Sequence, residues 1–223
     1  MTTGKGDISV GEDIVAGADV TMTVGTGNIE VGSLGRGNVT AGNNVTMSVE
    51  EGSVSIVETV TAGEDGKVDI LTKKGNIKIG NNGPYTPTVT AGQDVTLETG
   101  NGEIRVQGKT SATKGIVTLR AASDVYKAGE AGHNIIIEQD GMIEAGGDAT
   151  LETKNGDIHV TDRIVAGHSI SAITHGQGDI FLRRDVDASK DLNGKDTDGS
   201  VILRAEDKGN ISVVNPVTQQ IYK

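Results

Sequence analysis

The sequence has no cysteine and no tryptophan, and only 2% of its residues are aromatic: Phe181, Tyr85, Tyr126 and Tyr222. The first absence rules out disulfide staples and thiol chemistry. The second rules out the usual core built around large rings. Proline is nearly missing too, at 3 residues, so little in the chain interrupts a regular backbone ladder. No apolar run approaches the length of a membrane-spanning helix. Basic residues are outnumbered, 20 Lys and Arg against 31 Asp and Glu, for a net charge of −11. Nucleic acid and anionic bilayers attract the opposite balance, so neither nucleic-acid binding nor membrane insertion is expected. The N-terminal MTTGKGDISV carries no charged and apolar leader pattern; an exported protein would carry its signal upstream of these residues.

What is abundant is glycine, 33 of 223 residues, about twice the usual share. The glycines fall in a repeated phrase. Val89 to Val106 reads VTAGQDVTLETGNGEIRV, and close copies begin at Ile14, Val39, Ile143 and Ile164. One signature is Gly, a small polar residue, then alternating Ile or Val. It occurs at Gly6, Gly27, Gly52, Gly75, Gly102, Gly156, Gly178, Gly199 and Gly209. The other is Ala-Gly, two residues, then an alternating strand, at Gly17, Gly42, Gly63, Gly92, Gly146 and Gly167, with Ala188-Ser189 as a worn copy. The second series is spaced 25, 21, 29, 54, 21 and 22 residues. The long interval reads as two periods, with a disguised copy between Gly115 and His133.

Strict alternation over four to six residues is the mark of a half-buried strand, and β-branched residues dominate these runs. A unit this short cannot bury its own apolar face, but a stack of such units can. The sequence therefore predicts an all-β parallel β-helix (β-solenoid) of about nine coils of 21–29 residues, a single segment over 1–223. Equivalent positions should stack. Ile29, Val54, Ile77, Ile104 and Ile158 form one inward ladder, Val20, Val45, Val95, Ala149 and Ile170 another, and Thr21, Thr46, Thr96 and Thr150 an outward one. Three stretches break the period and read as protruding loops: near 81–87, near 109–132 (with an internal strand from Gly115 to Ala121), and the Asp-rich 185–199. After the last strand phrase, from Gly209, the chain runs into Asn215-Pro216 and a tail with no capping element.

Candidate chemistry is sparse. Gly-Asx pairs such as Gly27-Asn28 and Gly156-Asp157 fit turn geometry and backbone capping. Asp185 to Asp198 lacks both the EF-hand pattern and tandem nonapeptide calcium repeats. His133, His159, His168 and His175 sit in no Ser-His-Asp, zinc or phosphate-loop motif, and a glycosidase pair with aromatic platforms is not evident. The Thr-Met-Thr of an ice-binding face survives only at Thr21-Met22-Thr23; Glu98 and Glu152 interrupt it elsewhere. No cofactor or metal is expected. The loops offer Tyr85, Tyr126 and Asp191 as partner-contact residues.

The phrase carried by Val89–Val106 and Ile143–Val160 resembles the haemagglutinin-type repeats of filamentous-haemagglutinin-like adhesins of two-partner secretion, over most of the chain. That resemblance implies a right-handed β-helix on the bacterial cell surface or outside it, with no catalytic or binding residue carried over. It implies a non-catalytic shaft that contacts a host-cell or bacterial surface receptor. The secretion-recognition domain of that family is not evident here, and the coils are less regular than in long shafts. A self-assembling extracellular fibre, copies of itself stacked end to end, is the alternative. A carbohydrate-active β-helix enzyme is the weaker one.

Overall fold

A computed structural model describes residues 1–80, 86–122, 134–138, 141–215 and 220–222. The chain winds as a β-solenoid of three sheets, and the described residues contain no helix. The first sheet holds nine strands, each from a successive coil, among them Val20–Thr26, Val45–Glu51, Val95–Thr99 and Ile170–His175. The second holds ten, among them Ile29–Val31, Ile104–Gln107, Ile158–Val160 and Ile180–Leu182. The third holds eight, from Ile14–Ala16 to Val186–Asp187. Those eight mark about seven full turns, slightly fewer than the nine coils expected from the glycine count. At about 4.8 Å per rung, the nine strands of the first sheet make a stack roughly 40 Å long.

The strands pair in parallel and in register, so like sits on like. Val20, Val45, Val68, Val95, Val117, Ala149 and Ile170 form one inward column. Ile29, Val54, Ile77, Ile104, Ile135, Ile158 and Ile180 form another. Both expected inward ladders are present, with Val68, Val117 and Ile135 filling rungs that the phrase alone did not assign. One coil shows how the core is built without aromatics. Ile29, Val31, Val39, Ala41, Val45, Met47 and Val49 all lie inside, none more than 3% exposed. Each larger member contributes about 1.5–3 kcal/mol by leaving water. The outward column holds the expected Thr21, Thr46, Thr96 and Thr150, joined by Asp69 and Thr118 on rungs the phrase did not assign.

Glycine is required where one coil crosses close over the next. A Cβ on Gly63 would strike the carbonyl oxygen of Gly42, and one on Gly52 that of Gly27. Gly52 also holds φ +139°, a region that L side chains rarely adopt.

Five expectations need correction. The hidden Ala-Gly copy is Ala112-Thr113, ahead of the interval assigned to it: Lys109–Ala112 is a strand of the third sheet, and Gly146 N donates to Ala112 O. The periodic coil therefore continues through 109–122, where a protruding loop was expected; 123–133 lie outside the described residues. The coils also spread more widely than 21–29, reaching 32 residues between Val117 and Ala149. The Gly199 phrase belongs to the first sheet, because Val201 pairs with Ile170. Finally, the tail does not run free: Gln220–Tyr222 folds back antiparallel on Ile211–Asn215. That hairpin strand takes the backbone groups that a tenth parallel strand of the second sheet would have used.

Candidate functional site

The polar corner residues answer first, since they are the most regular feature of the surface. At most corners before the strands of the second sheet, a short polar side chain accepts the backbone N–H of its counterpart one coil on. Asn28 N donates to Asp7 Oδ1 at 2.7 Å, Ser53 N to Asn28 Oδ1 at 2.9 Å, and Glu103 N to Asn76 Oδ1 at 2.8 Å. Asp157 N to Asn134 Oδ1 (2.8 Å), Asp179 N to Asp157 Oδ1 (2.8 Å) and Asn210 N to Asp179 Oδ1 (2.7 Å) continue the column. The corner before the first sheet does the same through Asp19, Asn44, Asp94 and Asp148, and the corner before the third through Asp13 and Asn38. Hydrogen bonds from the backbone and side-chain amides of Asn38 hold the Asp13 carboxyl below the usual range. These Asx residues replace ladder bonds that the turning backbone cannot make for itself.

Inside, Thr72, Thr99, Thr153 and Thr174 lie fully buried at the end of the first sheet. Their hydroxyls donate to glycine carbonyls at a neighbouring corner, Thr153 Oγ1 to Gly156 O at 2.6 Å, Thr174 Oγ1 to Gly178 O at 2.9 Å, and both Thr72 and Thr99 to Gly75 O. Thr110, equally buried in a column of Val and Ile, gives its hydroxyl no partner.

Outside, many charges are matched from coil to coil. Lys67 reaches Asp94, Lys73 reaches Glu50, and Lys74 reaches Glu51, each at 2.6 Å. Arg105 joins Glu103 and Glu138, and Arg120 lies 3.2 Å from Glu152. His175 bridges Glu152 and Glu206 at 3.1 and 3.2 Å.

Of the expected contact residues, Tyr85 and Tyr126 lie outside the described residues. Asp191 is described, half-buried, and turned onto its own loop. It accepts the backbone N–H groups of Asn193 and Lys195, both at 2.9 Å, and those bonds, led by Lys195, hold its carboxyl below the usual range. Asp187 likewise takes the Ser189 hydroxyl and N–H, which lower it. Of the expected loop 185–199, Val186–Asp187 is a rung of the third sheet paired with Ile164 and Val165, and the stretch after it closes on itself through a bridge between Lys190 and Asp196. Its acids organise turns. Among the described residues, no three His, Cys, Asp or Glu converge to hold a metal ion.

One face differs from the rest. On the second sheet, Ile136, His159 and Phe181 form an outward column on three successive rungs. Two residues ahead on each strand, Asn134, Asp157 and Asp179 form a parallel column at the corner. Positions two apart point to the same side of a strand, so the six side chains make a two-by-three grid. They line a shallow groove of about 230 Å³. Phe181 is 36% exposed, and the His159 ring stands edge-on to it at 4.8 Å. Exposed phenylalanine is uncommon, and Phe181 is the one Phe, Tyr or Trp whose side chain is described. Asp157 and Asp179 each commit Oδ1 to the corner ladder. Their Oδ2 atoms have no cationic partner among the described residues, unlike the carboxylates of the cross-coil pairs.

No family model, curated protein or solved structure matches this chain. The site is therefore read from its own geometry. His159, which the sequence placed in no catalytic or metal motif, lies at the outward position of Ile158–Val160. Sequence reasoning did not connect His159 with Phe181, because the two are 22 residues apart and meet only through register. The signal was available: the residue after Ile in Gly-Asx-Ile is His in one copy and Phe in the next.

Proposed function

We propose that this chain is a structural and adhesive β-helical shaft segment of an exported bacterial surface protein, and that it is non-catalytic. The carrying observation is the use of the polar corner residues. Three columns of Asp, Asn and Ser are committed to bonds between coils, so the side chains that a cleft would present are tied into the rod's own axis. Register, a fully packed interior and cross-coil ion pairs add to stiffness along one direction, which is the property a spacer needs. The repeat phrase, with its resemblance to haemagglutinin-type repeats, supplies the surface setting. Contact with a receptor then falls to whatever departs from the repeat: the 188–199 loop and the groove at Phe181.

A second reading, a fibre subunit stacking end to end, draws on the last rung of the first sheet. Val201 and Ile202 are 44% and 51% exposed there. A further coil of the same polypeptide or a second copy would cover them equally well.

Two measurements test the proposal. Negative-stain images of the purified chain across a concentration series should show discrete short rods throughout; filaments that lengthen with concentration would replace the spacer by the fibre. Fluorophore-labelled chain should be retained saturably on bacterial or epithelial cells and displaced by unlabelled chain. Failure on both cell types would refute the adhesive half.

A further inference from the structure

The geometry points to the second-sheet groove as a docking site for a cationic partner: an extended peptide segment whose arginine or lysine side chains lie across Phe181 and between Asp157 and Asp179. The setting on a surface shaft rests on the reading above; the binding chemistry does not.

The argument is charge complementarity on a fixed frame. Several carboxylates of this rod reach a lysine or arginine one coil away, as Asp94 does Lys67 and Glu51 does Lys74. Asp157 and Asp179 stand on adjacent rungs, about 4.8 Å apart, and neither has such a partner among the described residues. Their Oδ1 atoms are pinned by the N–H groups of Asp179 and Asn210, at 2.8 and 2.7 Å. Pinning fixes where the free Oδ2 atoms point and removes the rotamer entropy that a ligand would otherwise have to freeze. Two like charges held this close favour a shared cation.

The apolar column supplies the second half of the recognition. The Phe181 ring, steadied edge-on by His159 at 4.8 Å, offers its remaining surface to a guanidinium or ammonium group. Ile136 extends the strip one rung further for the methylene stem of the same side chain. The three rungs form a strip along the rod axis beside the acceptor column, so an extended segment lying along the rod meets both at once. The groove's two charged groups, Asp157 and Asp179, are acceptors, which favours a partner rich in donors. A chain of net charge −11 also draws such a partner in from a distance.

The test uses ¹⁵N-labelled full chain titrated with an acetylated, amidated peptide of alternating arginine and serine, and with the same peptide carrying citrulline for arginine. The arginine peptide should shift the amides of Ile158, His159, Ile180 and Phe181 saturably, with Kd about 0.1–1 mM, weakening several-fold as ionic strength rises past about 0.3 M. The double variant Asp157→Asn/Asp179→Asn keeps both Oδ1 acceptors, as Asn28 and Asn76 do at the same corner, and should weaken binding about tenfold or more with the amide spectrum otherwise intact. Phe181→Ala removes an outward ring without touching the inward columns and should weaken it about fivefold. Glu50→Gln/Glu51→Gln, an equal loss of charge elsewhere, should leave it unchanged. The assignment is overturned if the citrulline peptide binds equally, if the double variant binds as the native chain does, or if shifts centre away from these rungs. It is also overturned if a neutral oligosaccharide saturates the same amides and the double variant binds it unchanged, which makes the groove a sugar site. None of these outcomes touches the rod measurements that test the shaft.

Discussion

Thr110 and Thr153 are both fully buried, and replacing each with valine should move stability in opposite directions. The exchange trades a hydroxyl for a methyl of nearly the same shape, so packing is almost constant and the hydroxyl decides the sign. Thr153 donates to Gly156 O at 2.6 Å; Thr153→Val forfeits that bond and leaves a buried carbonyl short of one donor, a loss of about 1 kcal/mol. The Thr110 hydroxyl has no partner, and its column neighbours are Val89 and Ile143. It carries a desolvation cost with no compensating bond, about 1–3 kcal/mol on mutational scales. Thr110→Val should recover most of this, about 1–2 kcal/mol. For a chain of this length each kcal/mol moves the thermal midpoint by about 2–4 °C, so the two variants should separate by roughly 4–12 °C. Calorimetry and urea midpoints on the two variants measure this directly. If Thr110→Val lowers the midpoint, its hydroxyl is satisfied in solution, by an ordered water or a shifted rotamer, and the reasoning fails.

The coil-to-coil contacts carry three more predictions. Gly63→Ala drives a Cβ into the Gly42 carbonyl and should cost about 2–3 kcal/mol, whereas Gly17→Ala, the same repeat position with nothing within 4 Å, should stay within about 0.5 kcal/mol; equal urea midpoints would refute the close-approach account. Asn28→Ala strips the acceptor from Ser53 N and should cost about 1 kcal/mol, while Asn28→Asp retains it; amide exchange at Ser53 should quicken only in the alanine variant. Asp94 is held below its ordinary value first by the Lys67 ammonium and then by the Ile116 N–H. A depressed carboxylate stabilises the fold above its unfolded value, about pH 3.9, and that contribution is lost as pH falls through the lower folded value. Asp94→Asn should therefore flatten the acid limb of stability below about pH 4, seen as a shallower decline of the urea midpoint. An acid limb as steep as the native one would remove Asp94 as its source.

The sequence exposed the fold because the fold is written as repetition. Val20 over Val45 and Ile29 over Val54 are the same letters in the same phrase, so alignment by eye already states the register. Where a coil stretches, legibility drops. The 32 residues between Val117 and Ala149 hide Ile135 from its column, and Thr113 stands where a glycine marks the other corners. The buried threonines were illegible for another reason. In Val95-Thr96-Leu97-Glu98-Thr99 alternation does send Thr99 inward, but whether its hydroxyl finds an acceptor depends on the carbonyl of a neighbouring corner, which no pattern prints.

The groove lies between these cases, and it shows how a repeat protein acquires a site. Every rung of the second sheet offers the same two outward positions. On two rungs the outward strand residue is basic, Lys78 beside Asn76 and Arg105 paired with Glu103. On the rungs of Asp157 and Asp179 the corner keeps its structural oxygen, yet the strand position turns aromatic and imidazole instead of basic. The ladder bond tolerates that change, because it needs only Oδ1. A solenoid can therefore alter its outward column rung by rung at little cost to the core, since inward and outward residues alternate and do not compete. Local departures from the repeat are then the places to look for recognition, and the uncompensated carboxylates beside Phe181 are one such departure.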